Sequence, residues 1–305
     1  MPDFEEFRRS HPAYDAAFAT IEEQSRLLSF AAAGVYETNG EALGPVADEI
    51  LHYVSSHYPP DYIQQYIARV EQLQELDRRF SKNPSAATLG DPGLEVDRRV
   101  YDLGLLLSIV FTNHRFEIIQ QLKRFLHSFP EAMGRIASIG AGPGYEIKLI
   151  AAALPGWKIE SYDTSLEAQR RAARFLDFFQ VRVPVHFEDV FPFDAPAPKL
   201  RHQYDAIVLC EILEHLIDPS AALRAVRECL RPDGKAFVTM AINIAQEDHV
   251  FLYPDIASCR SQLAGNGFRV VSEWIAPRTV FAAPEDRETG FKKGNYVATV
   301  RKADL

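Results

Sequence analysis

From about Gly134 onward the chain alternates short apolar runs with amphipathic ones, and few folds accommodate that alternation. "RIASIG", "WKIESYD", "VPVHFED", "YDAIVLC", "KAFVTMAI", "FRVVSEWIA" and "NYVATVRK" read as seven strands. Helical stretches follow the first, second, fourth and fifth, and the Pro-rich "FPFDAPAP" follows the third. Strands separated by helical crossovers pair in parallel, with helices on both faces of the sheet. "YDAIVLC" is nearly all apolar, as a strand covered on both sides must be. The final two strands have no helix between them, which predicts an antiparallel last strand. The expectation is an α/β fold: a Rossmann-like, doubly wound, seven-stranded sheet.

Residues 1 to about 130 have another texture. "DYIQQYIARVEQLQELDRRF" carries Ile63, Ile67, Val70, Leu73 and Leu76 at helical spacing. "VDRRVYDLGLLLSIVFTNHRFEIIQQLKRFLHSF" reads as one long or broken helix against something large, and no strand pattern is visible. The reading is an all-helical N-terminal cap or lid over 1–130 and a ligand-binding domain over 131–305.

A sheet of this kind binds ligands at the carboxyl ends of its strands. "SIGAGPGYE", residues 138–146, stands at that end of the first strand and carries Gly140, Gly142 and Gly144. Glycines there admit positive φ and bring backbone N–H groups close to a ligand. Asp163 closes the second strand, where a carboxylate can meet ribose hydroxyls. Thr164 or Ser165 can cap the next helix, which would leave that carboxylate free. Loop and acid together point to an adenosine-type ligand. The spacing is G-x-G-x-G, with Tyr145 where a dinucleotide fingerprint has its third glycine, and this disfavours nicotinamide dinucleotides.

These pieces resemble the class I S-adenosylmethionine-dependent methyltransferases, over roughly residues 134–305. "ASIGAGPGYE" is similar to that family's glycine loop, which implies Gly140, Ala141, Gly142, Gly144 and Tyr145 beside the methionine part of the cofactor. "YDTS" implies Asp163 and Thr164 at the ribose. "HFEDVF" implies Asp189 and Val190 at the adenine. "YDAIVLCEILEHLIDP" implies Cys210 and Glu211 beside the cofactor, and "LRPDGKAFVTM" resembles the turn into the fifth strand. The implied cofactor is S-adenosylmethionine, as methyl donor or as sole substrate.

Methyl transfer demands alignment and water exclusion rather than one universal catalytic residue. His215, Asn243, His249 and Arg115 are the candidates by position, with Asp248 beside His249. Glu211 reads as a ligand residue and Glu214 as a solvated one. Burying His114 and Arg115 without partners would cost several kcal/mol, so they should pair with Glu117, another domain or a ligand carboxylate. Tyr58, Tyr62 and Tyr66 read as core or interface aromatics, and Arg170, Arg171 and Arg174 as a solvated helix face.

The net charge of −9 argues against nucleic acid or an anionic membrane as partner. No apolar run approaches the roughly 20 residues of a membrane span, and the start is unlike a signal peptide. The three widely spaced cysteines suggest neither disulfides nor a zinc site, and no metal is expected. The expectation is a cytoplasmic small-molecule methyltransferase, with a homodimer left open. Two alternatives stand. One is a cap that folds the methionine chain back, so that its amine attacks the γ carbon to give azetidine-2-carboxylate and methylthioadenosine, or transfer of the aminocarboxypropyl group to an acceptor. The other is a non-catalytic cofactor-binding protein.

Overall fold

The computed structural model describes residues 9, 11–14, 37–38, 41–42, 44–82, 97–130, 132–188, 191, 193, 198–244, 246, 248–277 and 293–303. Seven strands form one sheet: β1 (Arg135–Ile139), β2 (Lys158–Tyr162), β3 (Val185–Glu188), β4 (Tyr204–Leu209), β5 (Leu230–Ile242), β6 (Phe268–Pro277) and β7 (Gly294–Lys302). Their order is β3-β2-β1-β4-β5-β7-β6, parallel except for β7, which runs antiparallel to both neighbours. The order reverses at β1 and β4, so the cleft between their carboxyl ends is where the fold places a ligand.

Period-two alternation separates the two faces of the sheet. Ala206 and Val208 of β4 join one core, whereas Ile207 and Leu209 join the other. The first core continues into α1 (Gly44–His57), α2 (Pro60–Lys82), α3 (Arg98–Phe111), α4 (Asn113–His127), α5 (Tyr145–Ala153) and α6 (Leu166–Phe178). The second is covered by α7 (Pro219–Cys229) and α8 (Ile256–Gly265). Helix α4 lies on β5, β6 and β7, so helices that precede the sheet in sequence share its core.

Local chemistry explains the helix starts. Asp97 accepts from two first-turn N–H groups of α3, Ser165 caps α6 and Asp218 with Pro219 opens α7. A capping box of Asp255 and Ser258 opens α8.

The apolar stretch read as one long or broken helix is the broken form, two helices parted at Thr112, whose φ and ψ of −131° and 134° are extended. The structure departs from the sequence reading in two places. Residues Glu37–Thr38 and Glu41–Ala42 form a two-residue strand pair in the half read as strandless. Strand β5 begins at Leu230, with a register break against β4 between Tyr204 and Ala206 that absorbs the "RPDG" turn.

Candidate functional site

The glycine loop takes the conformation its composition anticipates. Gly140, Gly142 and Gly144 have φ of 87°, 48° and 98°, where a Cβ is disfavoured. Gly144 also sits where a Cβ would lie 3.0 Å from the Ala172 backbone of α6. Gly142 is different: a Cβ there would meet only Leu105, at 4.0 Å, leaving bare backbone facing open space.

That space is a cavity of about 410 Å³, lined by Gly140, Gly142, Glu146, Asp163, Thr164, Cys210, Glu211 and His215 among others. Ala141, Gly144 and Tyr145 are not on its wall. Tyr145 is fully buried against Phe175, and Ala141 donates its N–H to Asp163 Oδ2 at 2.8 Å. Asp189 and Val190 lie outside the described residues.

Asp163 is not the free carboxylate that the capping argument anticipated. Ser165 does cap α6, but its own N–H donates to Asp163 Oδ1 at 2.8 Å. Both carboxylate oxygens therefore hold backbone, one the glycine loop and the other the start of α6. Each oxygen retains a second lone pair for a further donor.

A second cavity, of about 180 Å³, opens between α2, α3 and the carboxyl ends of β4 and β5. Tyr66, Val70, Leu73, Phe111 and Ile244 give it an apolar body; Glu211, Glu214, His215 and His249 give it one polar end. Tyr101, Leu105, Arg115, Glu211 and His215 line both cavities and so form the boundary between them.

Arg115 is the charged centre of that boundary, with 6% of its surface exposed. Its Nη2 donates to Glu146 Oε1 at 3.4 Å, and its Nη1 lies 3.4 Å from Glu211 Oε2. Nε and Nη1 have no hydrogen-bond partner among the described residues. Glu117, one of the partners expected for His114 and Arg115, accepts from Asn113 at 2.8 Å and from the Trp274 indole. Its bond to Trp274 ties it to β6.

Glu211 is held in a left-handed conformation, φ 55°, which an L side chain adopts only when its surroundings impose it. Thr239 imposes it here: its Oγ1 accepts from the Glu211 N–H at 2.7 Å and donates to Glu211 Oε1 at 2.6 Å. Asn295 Nδ2 donates to the same oxygen at 2.7 Å. Strands β5 and β7 thus fix a carboxylate at the tip of β4. Burial pushes the neighbouring Cys210 thiol up, and Glu146 adds to the effect.

Glu214 is a correction. Read from sequence as solvated, it is 1% exposed, and neither carboxylate oxygen has a hydrogen-bond partner among the described residues. The cause is local. Leu213–His215 is a short 3-10 turn, and the Glu214 carbonyl accepts from both Val250 and Phe251 N–H at 2.9 Å, which fastens the turn inward. Burial pushes the Glu214 carboxyl well up, and the Glu211 charge pushes it further. Arg171 is a second correction: it is buried and paired with Asp102 of α3, whereas Arg170 and Arg174 of the same group are exposed, as expected.

His215 Nδ1 donates to the Asp248 carbonyl at 3.0 Å and His249 Nδ1 to the Ile244 carbonyl at 2.9 Å. Burial lowers the His249 pKa, and His215 lowers it further. Asn243, the remaining catalytic candidate, lines neither cavity; its side chain donates to the Pro254 carbonyl at 2.7 Å and shapes the turn after β5.

A strand order of this kind, with β7 antiparallel and a glycine loop and acid at the switch point, defines the class I S-adenosylmethionine-dependent methyltransferases. A family model described as a methyltransferase domain matches residues 111–273, and the chain belongs to that family. Ubiquinone biosynthesis O-methyltransferase of Ralstonia nicotianae is 30% identical over 108 residues, which are 35% of this chain and 43% of that protein. The match spans less than half of that relative.

Among solved structures, CurJ carbon methyltransferase superposes with a TM-score of 0.53 at 15% identity, over 97% of this chain and 93% of that one. A putative sarcosine dimethylglycine methyltransferase from Galdieria sulphuraria gives 0.50 at 13% identity, over 75% and 99%. At these identities the likeness shows the fold alone.

Proposed function

We propose that the chain transfers the methyl group of S-adenosylmethionine to a small molecule seated in the second cavity. The observation that carries this reading is the shared boundary: Tyr101, Leu105, Arg115, Glu211 and His215 line both cavities.

The residues of the larger cavity fit the cofactor. Gly142 offers backbone with no side chain in the way, and Asp163 retains lone pairs for ribose hydroxyls. The unmet Nε and Nη1 donors of Arg115 suit a carboxylate such as that of the methionine chain. Bound there, S-adenosylmethionine supplies a methyl group made electrophilic by its positive sulfur. The chain's own contribution is positional. The backbone of 140–144 and Asp163 orient the donor, the apolar walls from α2 and α3 exclude water, and the boundary residues hold the two ligands at a fixed separation. A separate acceptor cavity favours this reading over cyclisation of the methionine chain, which needs no second ligand.

The test is incubation with methyl-labelled S-adenosylmethionine, alone and with the small-molecule fraction of the source cell. S-adenosylhomocysteine formed only with that fraction, and label on a small acceptor, is the expected result. Methylthioadenosine formed from the cofactor alone would replace methyl transfer by attack on the γ carbon.

A further inference from the structure

The polar end of the acceptor cavity is built from two segments remote in sequence, the turn Leu213–His215 and the stretch Asp248–Phe251. The bonds from Val250 and Phe251 to the Glu214 carbonyl, and from His215 to the Asp248 carbonyl, clamp them together. The clamp brings one potential ligand atom from each of Glu214, His215 and His249 within 4.8 Å of the other two. Each imidazole spends Nδ1 on a backbone carbonyl, which leaves Nε2 as the nitrogen available to a further ligand. Both Glu214 oxygens are buried without a hydrogen-bond partner among the described residues. The Arg115 guanidinium acts on Glu214 through its charge but makes no hydrogen bond to it; its ion pairs are with Glu146 and Glu211.

We propose that Glu214, His215 and His249 bind one divalent first-row transition cation at the polar end of the acceptor cavity. Two imidazole nitrogens and one carboxylate suit Mn²⁺ through Zn²⁺, whereas Mg²⁺ and Ca²⁺ prefer oxygen donors. Ligands about 2.0–2.2 Å from a metal lie about 3.3–3.6 Å apart in a tetrahedral set, so a pair at the 4.8 Å limit would close by about 1.2–1.5 Å on binding. Glu211 is not in the set, because Thr239 and Asn295 hold its Oε1 while Oε2 faces Arg115. Three protein ligands leave coordination positions open, and all three residues line the acceptor cavity. Resting on the methyltransferase reading, the cation selects an acceptor that presents an ionisable oxygen, since a metal-bound hydroxyl is far more acidic than a free one.

The experiment uses the full chain without a histidine tag, stripped with a chelator and dialysed. Co²⁺ is titrated while the visible spectrum is followed, and S-adenosylhomocysteine binding is measured separately by calorimetry. One equivalent of Co²⁺ with visible d–d bands is expected, displaced by Zn²⁺ and not by equimolar Mg²⁺. Glu214→Gln and the partly exposed His215→Ala should each weaken Co²⁺ binding by at least about tenfold, with metal-free melting as the check on folding. His249→Ala is the third variant, in case either of the others does not fold. A featureless spectrum, or folded variants that bind Co²⁺ as the parent does, overturns the site. If S-adenosylhomocysteine binds and Co²⁺ does not, the cation site falls and the methyltransferase reading stands. If Co²⁺ binds and S-adenosylhomocysteine does not, the reading of the larger cavity falls, and the acceptor inference falls with it.

Discussion

Asp163 shows how much one side chain can be asked to do. Position alone identified it as a ligand carboxylate, and position could not show that both oxygens already hold backbone. The sequence places Asp163 at a strand end; only the folded loop brings the Ala141 N–H to it. Asp163→Ala therefore removes two charge-assisted hydrogen bonds as well as any bond to ribose. At about 1.5–3 kcal/mol for a bond to a charged group, S-adenosylhomocysteine affinity should fall by at least about tenfold in calorimetry, with a lower melting temperature even without ligand. A variant that loses affinity and melts as before would show that the carboxylate serves the ligand alone. Arg115 and Glu214 mark the opposite limit of legibility. Arg115 was identified as a charge needing a partner, but Glu146 and Glu211 come from α5 and the tip of β4, and no local spacing announces either. Glu214 looked like any acid near a helix start, because nothing in "EILEHL" shows that Val250 and Phe251 will fasten its carbonyl inward.

The strands were the most legible elements, because covered strands must be apolar and the glycine loop fixes where the first one ends. That the apolar stretch could be broken was legible, but the place of the break at Thr112 was not. "IVFTNHRF" continues an apolar pattern on both sides, and the extended Thr112 backbone is stabilised by its own N–H and Oγ1, both donating to the Ser108 carbonyl. At the amino ends of β1, β2 and β4 the sheet carries a charge clamp. Glu160 of β2 accepts from Arg135 Nε and Nη2 of β1 at 2.8 and 3.1 Å and pairs with Lys158 at 2.8 Å. Burial alone would raise the Glu160 carboxyl, but hydrogen bonds from Arg135, Lys158 and Tyr204 outweigh it and hold the pKa down to about 2. A depressed carboxylate contributes stability that is full above its unfolded pKa, about 4.3. That stability is lost as pH falls through the folded value. Between pH 5 and pH 2 the clamp should therefore lose about 2–3 kcal/mol. Urea unfolding across that range should show the Glu160→Gln chain less stable than its parent at pH 6. The two should converge toward pH 2. Parallel curves would mean that the clamp does not titrate in this window.

At the scale of the whole molecule, the helices before the sheet contribute to the site as well as to the core. Helix α3 supplies Tyr101 and Leu105 to both cavities, whereas Tyr66, Val70 and Leu73 of α2 line only the smaller one. Alternation in the sequence located the larger cavity, since the switch point follows from strand order. The smaller cavity was not legible in the same way. It exists only where α2 and α3 meet the strand tips, and Tyr66, read as a core or interface aromatic, also forms part of its wall. This division of labour predicts that the two cavities can be perturbed separately. Val70→Trp adds an indole to the smaller cavity at a position that does not border the larger one. S-adenosylhomocysteine affinity should stay within about twofold of the parent. Turnover of the labelled acceptor should fall at least about tenfold in kcat/KM, because a missing ångström of space forfeits either binding or alignment. Calorimetry and steady-state kinetics on the same preparation decide the matter. Equal losses in both would join the cavities into a single pocket, whereas no loss in either would move the acceptor away from α2.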